Sequence, residues 1–201
     1  MCGRFTLASL PETIAGHFGL TDIPDLDANF NITPGRPIAT VGMRADGSVG
    51  LAQLRWGLVP GWARDRKIGN KLANARGETV AEKPSFRDAF RRRRCIIPAD
   101  GFYEWQATDG RKQPHYIHMR DGSLFGMAGL WERWQGPDGE VLNSVAIITT
   151  GANALMGKVH HRMPVILQPG DYAHWLDREW QDPDTLLALL RPCDPAPMEA
   201  Y

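Results

Sequence analysis

The chain has 201 residues, 43% of them hydrophobic, and equal numbers of basic and acidic side chains, 23 of each. A chain of this length buries roughly 70% of its unfolded surface, so we expect one globular domain over residues 1–201. No apolar run reaches the roughly 18 residues of a membrane span, and the start of the chain lacks a basic segment followed by an apolar one. We therefore expect neither a membrane protein nor a secreted one.

Cysteine, glycine and proline usage narrows the class further. The number of cysteines is odd and no C-x-x-C pair occurs among them: Cys2, Cys95 and Cys193. This pattern argues against a disulfide framework or a zinc knuckle, and it favours the reducing cytoplasm as the location of the protein. The 21 glycines and 15 prolines exceed ordinary usage. Short elements joined by turns are therefore expected, rather than a helical bundle.

The predicted elements begin with a helix over 9–18, where Ser9 and Glu12 have the spacing of a capping box. A last helix is predicted over 182–190, with Asp182 as N-cap and Pro183 at the first helical position. The Pro-rich tail, residues 192–201, is expected to fray. Between the two helices, strands are predicted at 37–43, 51–59, 94–105, 115–119, 124–131, 141–150 and 163–168, and short helices at 85–91, 152–158 and 170–176.

Strands that come in runs, with helices inserted between them, predict an α+β fold with a largely antiparallel sheet. No Gly-rich phosphate loop accompanies them, so no nucleotide cofactor is expected. The charge is uneven, because residues 36–94 carry 11 arginines and three lysines against five acids. Such a segment suggests a local anionic partner, although the run Arg91–Arg94 is equally compatible with a solvated charged face.

Cys2 is the first candidate for chemistry. Loss of Met1 would leave an α-amine and a thiol on one residue, and both groups are nucleophilic near neutral pH. Such a 1,2-aminothiol condenses with an aldehyde to an imine, which the thiol then closes to a thiazolidine. The alternative is a thiol that acts as an acyl-transfer nucleophile with the amine as base.

Three further positions offer groups that could assist Cys2. Glu104 is an acid among aromatic residues, suited to proton transfer, and Asn74 is an uncharged donor and acceptor. His160 and His161 precede a predicted strand. They lack a third ligand at a recognised spacing, so no metal is expected. If the chain is extended there, the two histidines point to opposite sides.

Six segments in this order closely resemble the SOS-response-associated peptidase (SRAP) family, the abasic-site processing proteins. Their resemblance spans about residues 2–190. The segments are Met1-Cys2-Gly3-Arg4-Phe5, Phe30-Asn31-Ile32-Thr33-Pro34-Gly35, Trp56-Gly57-Leu58-Val59-Pro60-Gly61-Trp62, Asn74-Ala75-Arg76-Gly77-Glu78-Thr79, Pro98-Ala99-Asp100-Gly101-Phe102-Tyr103-Glu104-Trp105 and His160-x-Arg162-Met163-Pro164.

The resemblance implies a single α+β domain with a bifurcated, mostly antiparallel sheet, partly closed into a barrel and flanked by short helices. It also implies autoproteolytic loss of Met1, covalent capture of abasic sites in single-stranded DNA, and reversal of the crosslink, a lyase-type activity. No cofactor and no metal are implied. The partner is single-stranded DNA bound by a monomer in the cytoplasm, at the nucleoid when on DNA.

Residue by residue, the resemblance makes Cys2 the nucleophile, Asn74 the amide that holds the site, Glu104 the acid/base near the amine and His160 the proton donor to the sugar ring oxygen. His161 stands where the family often has Asp. The DNA contacts that the resemblance implies are Arg4, Asn31, Trp62, Arg76 and Arg162. From the residues alone, two other readings stay open: an N-terminal-nucleophile cysteine protease acting on other proteins, and a non-enzymatic binder of single strands.

Overall fold

The structure is a computed structural model that describes residues 2–108 and 110–201. Within these ranges the chain forms thirteen strands and four short α-helices. The strands are β1 (Arg4–Leu7), β2 (Asn29–Ile32), β3 (Pro37–Met43), β4 (Val49–Trp56), β5 (Asn74–Arg76), β6 (Arg94–Ala99), β7 (Gly101–Thr108), β8 (Arg111–Met119), β9 (Phe125–Gln135), β10 (Val141–Gly151), β11 (Arg162–Pro164), β12 (Ile166–Leu167) and β13 (Met198–Ala200). The helices are α1 (Pro11–Phe18), α2 (Arg87–Arg92), α3 (Tyr172–Leu176) and α4 (Pro183–Ala188).

Five of the strands close into a small barrel. The β3–β4 hairpin is joined by β6, then by β9 and β10, and β10 closes the ring on β4 through a parallel pairing. Every residue of β6 is buried, because the barrel interior covers one face while α2, α3 and β1 pack against the strand from outside. Strands β5 and β11 extend this sheet along β10.

The second sheet is antiparallel and has the strand order β13-β8-β7-β1-β2. The chain enters it directly from the barrel, because β6 and β7 are separated by Asp100 alone. The Asp100 carboxylate fixes this corner by accepting hydrogen bonds from the Ala8 backbone N–H and the Ser9 hydroxyl. The predicted α+β fold, with one sheet partly closed into a barrel and short flanking helices, is confirmed.

Two helix caps have different outcomes. Asp182 accepts a hydrogen bond from the Thr185 N–H at 3.0 Å, so the predicted N-cap of α4 is confirmed. The predicted capping box of α1 is wrong, because the Ser9 hydroxyl bonds to Asp100 and α1 follows Leu10 without a side-chain cap. A short-range sequence pattern does not reveal that a distant carboxylate competes for the same hydroxyl.

Other predicted elements differ in extent. The predicted strand 37–43 is observed as β3, whereas the run 94–105 is two strands that belong to different sheets. The predicted helix 152–158 is reduced to a single 3₁₀ turn, Met156–Lys158. Strands β1 and β2 were not predicted, because each is only four residues long.

The tail does not fray as expected. Residues 198–200 form β13, which pairs with β8. Met198 is buried, and its sulfur lies 3.4 Å from the Cys193 sulfur, while the Tyr201 ring packs edge-on against Tyr116. Burial of these apolar groups and the backbone pairing hold the segment, despite its prolines.

Candidate functional site

Asn74 and Cys2 meet where the two sheets come together. Strand β5 carries Asn74 and runs parallel to β10, with Asn74 opposite Ile147. From there the Asn74 Nδ2 donates a hydrogen bond of 2.9 Å to the carbonyl oxygen of Cys2. The Asn74 Oδ1 is buried and has no hydrogen-bond partner among the described residues. The amide therefore anchors Cys2 with one end and leaves an acceptor in the site with the other.

The Cys2 thiol is completely buried, and burial is the main cause of its unusual ionisation. Burial, reinforced by the charge of Glu104, raises the pKa of the Cys2 thiol to about 12. The register of β1 on β7 explains why Glu104 is close, because Arg4 lies opposite Tyr103 and continuing it puts Gly3 opposite Glu104. The thiol is thus protonated at neutral pH, and it needs a base before it can attack.

Glu104 and His160 form the other wall of the site. The Glu104 side chain is buried, and its Oε2 lies 4.0 Å from the Nδ1 of His160. Its Oε1 accepts a hydrogen bond from the Trp105 N–H at 3.3 Å. At this distance one bridging water or a small movement lets the carboxylate and the imidazole exchange a proton. The structure therefore brings together all four residues that the sequence analysis placed in the catalytic set, Cys2, Asn74, Glu104 and His160.

The backbone of Arg162 fixes the orientation of the His160 ring. Its Nδ1 accepts a hydrogen bond of 3.0 Å from the backbone N–H of Arg162. The same Nδ1 lies 3.3 Å from the Arg162 carbonyl oxygen. On the basis of the shorter contact, with the N–H, we assign the proton of the neutral ring to Nε2. The His161 ring stacks on it with centroids 4.3 Å apart, so the expectation that the two rings point to opposite sides is wrong. The chain bends at His161 instead of being extended, and His161 is exposed.

Arg162 has partners that sequence reasoning missed. Its guanidinium donates to both oxygens of the Glu78 carboxylate, with the Nη2–Oε2 bond at 2.9 Å, and to the carbonyl oxygen and hydroxyl of Thr149 at 2.7 and 3.1 Å. Only 13% of the Arg162 side chain is exposed. The guanidinium is therefore occupied within the protein, whereas Arg76, on the strand β5 that pairs with the opposite edge of β10, is exposed. The sequence signal for Glu78 was its place in the Asn74–Thr79 segment.

A polar and aromatic cluster lies at the edge of the second sheet. Pairing of β1 with β2 and β7 brings Arg4 next to Asn31, and the Arg4 Nη1 donates to the Asn31 Oδ1 at 3.1 Å. The same guanidinium lies 5.7 Å from the ring centroid of Trp105, a cation–π contact. Arg4 and Asn31 are exposed, so the cluster offers a cation and an aromatic face to solvent.

Trp62 lies on the loop after β4 and is 59% exposed. Its indole N–H donates to the carbonyl oxygen of Pro84 at 3.2 Å, which joins this loop to the turn before α2. The loop needs Gly57, which has φ 124° and whose missing Cβ leaves room for the carbonyl oxygen of Gly69. The hydrogen bond of the Trp62 indole joins Trp62 to Pro84 and not to the residues around Cys2.

The basic run Arg91–Arg94 divides into two surface and two structural residues. Arg91 and Arg92 are exposed, while Arg93 pairs with Glu132 at 2.7 Å. Arg94 is 5% exposed, and it donates to the carbonyl oxygens of Phe90, Arg91, Trp175, Asp177 and Trp180. Neither a uniform solvated face nor a uniform anion-binding strip describes this run.

The described residues offer neither a metal site nor a helix that could span a membrane. No group of three or more His, Cys, Asp or Glu side chains is placed to hold a metal ion among the described residues. In residues 2–108 and 110–201, no helix combines the length and apolar character needed to cross a membrane.

Comparison with known proteins identifies the family. The profile of the SOS response associated peptidase (SRAP) family matches residues 1–201. The chain belongs to this family. The resemblance of the six sequence segments is thereby confirmed, and the group of residues around Cys2 is the candidate for the active site.

Relatives and solved structures agree with membership in the SRAP family. The chain is 47% identical over 206 residues to the abasic site processing protein YoqW of Bacillus subtilis, covering 100% of this chain and 91% of the relative. It is 36% identical over 168 residues to the abasic site processing protein HMCES of Xenopus tropicalis, covering 72% of this chain and 50% of that protein. A crystal structure of a protein from Bacteroides thetaiotaomicron superposes with a TM-score of 0.89 at 30% identity, covering 100% of this chain and 91% of the other.

Proposed function

We propose that this protein captures abasic sites in single-stranded DNA as a thiazolidine on Cys2, after autocatalytic removal of Met1. The observation that carries the proposal is a completely buried Cys2 held by Asn74 beside the Glu104–His160 pair. Relatives named abasic site processing proteins support the substrate. Met1 itself lies outside the described residues.

Removal of Met1 uses the thiol before it meets DNA. The Cys2 Sγ adds to the carbonyl carbon of Met1 as Glu104 takes the thiol proton, which is needed because the thiol pKa is about 12. The C–N bond to Cys2 then breaks, and the amine takes up the proton. Water hydrolyses the resulting thioester, which releases methionine and leaves both a free amine and a free thiol on Cys2.

Capture begins with the sugar, because the abasic residue is mostly a closed hemiacetal. His160 in its protonated form donates the Nε2 proton to the ring oxygen while water takes the proton of the C1′ hydroxyl, and the sugar ring opens to the aldehyde. The Cys2 amine, with a proton removed by Glu104, adds to C1′, and loss of water gives the imine. Addition of the thiol to the same carbon closes the thiazolidine. In total, one amine, one thiol and one aldehyde are converted to one thiazolidine ring and one molecule of water.

The Asn74 Oδ1, which has no hydrogen-bond partner among residues 2–108 and 110–201, serves these reaction steps as an acceptor. Its lone pairs accept a hydrogen bond from the freed Cys2 amine or from a sugar hydroxyl, while the Nδ2 keeps hold of the Cys2 carbonyl. Once the ring has formed, C1′ is no longer an aldehyde. The neighbouring C2′ protons then lose their acidity, so β-elimination and strand cleavage stop. The same groups acting in reverse order release the lesion.

DNA contacts come from the exposed cations and aromatic rings that flank the site. The cluster of Arg4, Asn31 and Trp105 offers a stacking face and a phosphate contact, Arg76 a second cation and Trp62 a further ring. These contacts carry little base identity, so binding is independent of sequence. Replacing Arg76 with Gln is expected to lower the slope of log K against log salt by about 0.7, the value for one phosphate of a single strand. An unchanged slope would remove Arg76 from the interface.

Intact-mass analysis with an abasic oligonucleotide tests the proposal against its alternatives. Capture gives a protein lacking Met1 and joined to the oligonucleotide. A cysteine protease acting on other proteins gives no adduct but cleaves an added unfolded polypeptide in a Cys2-dependent manner. A non-enzymatic binder gives neither product, and either of these last two outcomes overturns the proposal.

A further inference from the structure

Glu78 has no role in the chemistry proposed above, yet its carboxylate is tied to the residue that orients His160. It follows β5 directly, in the 3₁₀ turn Gly77–Thr79, and forms a bidentate pair with the guanidinium of Arg162. The Arg162 guanidinium holds the pKa of the Glu78 carboxyl below its usual range. The pair therefore persists as an ion pair at neutral pH, although 52% of the Glu78 side chain is exposed.

The same Arg162 contacts His160 with its backbone. Its N–H donates to the His160 Nδ1 at 3.0 Å, the bond that places the ring proton on Nε2. Two side-chain anchors, Glu78 and Thr149, hold the Arg162 guanidinium, and its Nε is buried without a partner among the described residues. Without Glu78, the buried Arg162 guanidinium would have Thr149 as its only remaining partner. It would then have to turn toward solvent, and the backbone at Arg162 would move with it.

The contact also joins the two halves of the site. Glu78 lies four residues after Asn74 on the β5 segment, while Arg162 opens β11, and both strands flank β10. An ion pair across Thr149 of β10 therefore fixes the distance between the segment that holds Cys2 and the segment that holds His160. The pair is bidentate, which restrains orientation as well as distance.

We infer that Glu78 is a positioning residue for the general acid, acting through Arg162 to hold His160 with its Nε2–H directed at the sugar ring oxygen. The inference rests on the proposed function, and in particular on ring opening by His160. Glu78 touches no reacting atom, and its effect is confined to the step that His160 performs.

The test compares two substrates on one variant. In Glu78→Gln the shape remains but the charge is lost, and capture of a ring-closed abasic oligonucleotide is expected to slow by about 10–100-fold, the range seen for groups that orient metal-ligating histidines. An oligonucleotide that carries an acyclic alkyl aldehyde in place of the sugar needs no ring opening, and its capture is expected to continue at the wild-type rate. The exposed Glu82, four residues further along, supplies the matched control Glu82→Gln, which should match wild type on both substrates.

A double-mutant comparison identifies the route. If Glu78 acts through His160, the Glu78→Gln/His160→Ala variant is no slower than His160→Ala alone. Thr149→Val removes one acceptor of the Arg162 guanidinium, together with the hydrogen bond from the Thr149 hydroxyl to the Ala75 carbonyl oxygen, and provides a second variant should Glu78→Gln fail to fold. It is expected to slow capture of the ring-closed substrate and spare the acyclic one.

Three results would overturn the inference: equal slowing on both substrates, additive effects in the double variant, or tighter DNA binding with unchanged rates. The last would mean that Glu78 competes with a phosphate instead of positioning His160. If wild-type protein forms no adduct with either oligonucleotide, it is the proposed function that fails.

Discussion

Cys95 lies in β6 of the barrel and Cys2 lies beside β1 and β7 of the second sheet, and both thiols are completely buried. Burial raises the pKa of each. Their surroundings differ, because Cys95 sits on the barrel wall against Gly129, with the Trp175 indole N–H bonded to its carbonyl oxygen, whereas Cys2 has Asn74, Glu104 and His160 around it. Burial alone therefore keeps a thiol protonated and unreactive. A nearby base and a nearby proton donor are needed before it can react.

The largest expected effect separates these two cysteines. Cys2→Ala is expected to abolish the stable adduct with an abasic oligonucleotide, because the thiol that closes the ring and attacks Met1 is lost. Cys2→Ser, prepared without Met1, keeps the free amine and is expected to form an imine that requires borohydride trapping. Cys95→Ala is expected to keep full capture, measured as adduct yield on a denaturing gel. Adduct from Cys2→Ala without a reductant would make a lysine the nucleophile.

The stacked histidines provide the next test. His160→Ala is expected to slow capture of a ring-closed abasic site by about 10²–10⁴-fold, the usual contribution of a general acid. His161→Ala should change the rate little, because His161 is exposed and His160 is the ring next to Glu104. Timed crosslinking of the two variants on one oligonucleotide measures this. A normal His160→Ala beside a slow His161→Ala would reverse the assignment.

Arg94, the neighbour of Cys95, is expected to matter for stability and not for chemistry. Arg94→Ala leaves several buried carbonyl oxygens without a donor and should lower the free energy of unfolding by about 3 kcal/mol. The exposed neighbour, in Arg91→Ala, should change it by less than about 0.5 kcal/mol. Denaturant unfolding measures both. Loss of capture by folded Arg94→Ala, measured well below its melting temperature, would count against a purely structural role.

The two thiols should behave alike in alkaline unfolding. Each has a pKa raised above its ordinary value of 9.0, so the unfolded chain loses these protons first. Stability is therefore fully present below pH 9 and falls as the pH rises above it, by up to about 1.4 kcal/mol per pH unit for each thiol. Cys2→Ala and Cys95→Ala should each reduce this fall to a similar extent, measured as unfolding free energies on either side of pH 9. Stability of the wild type that stays flat across this range would contradict the burial argument.

The sequence predicted the architecture and the residues around Cys2 better than it predicted the contacts that hold those residues in place. Strand β3 and the Asp182 cap depend on local patterns and were found as expected. The capping role of Ser9 failed because Asp100 binds its hydroxyl across the corner between the sheets. Glu78 as the partner of Arg162 was equally invisible, because the contact joins positions 84 residues apart. Motif spacing identifies reactive groups, but the contacts that orient them are long-range products of the fold.

The most direct test of the account is the mass of the adduct before and after treatment with borohydride. A thiazolidine on Cys2 predicts the mass of the protein without Met1 plus the oligonucleotide less one water, and no change on treatment, because the ring contains no C=N bond to reduce. An adduct that gains two hydrogens, or one that retains Met1, would contradict ring closure by the Cys2 amine and thiol.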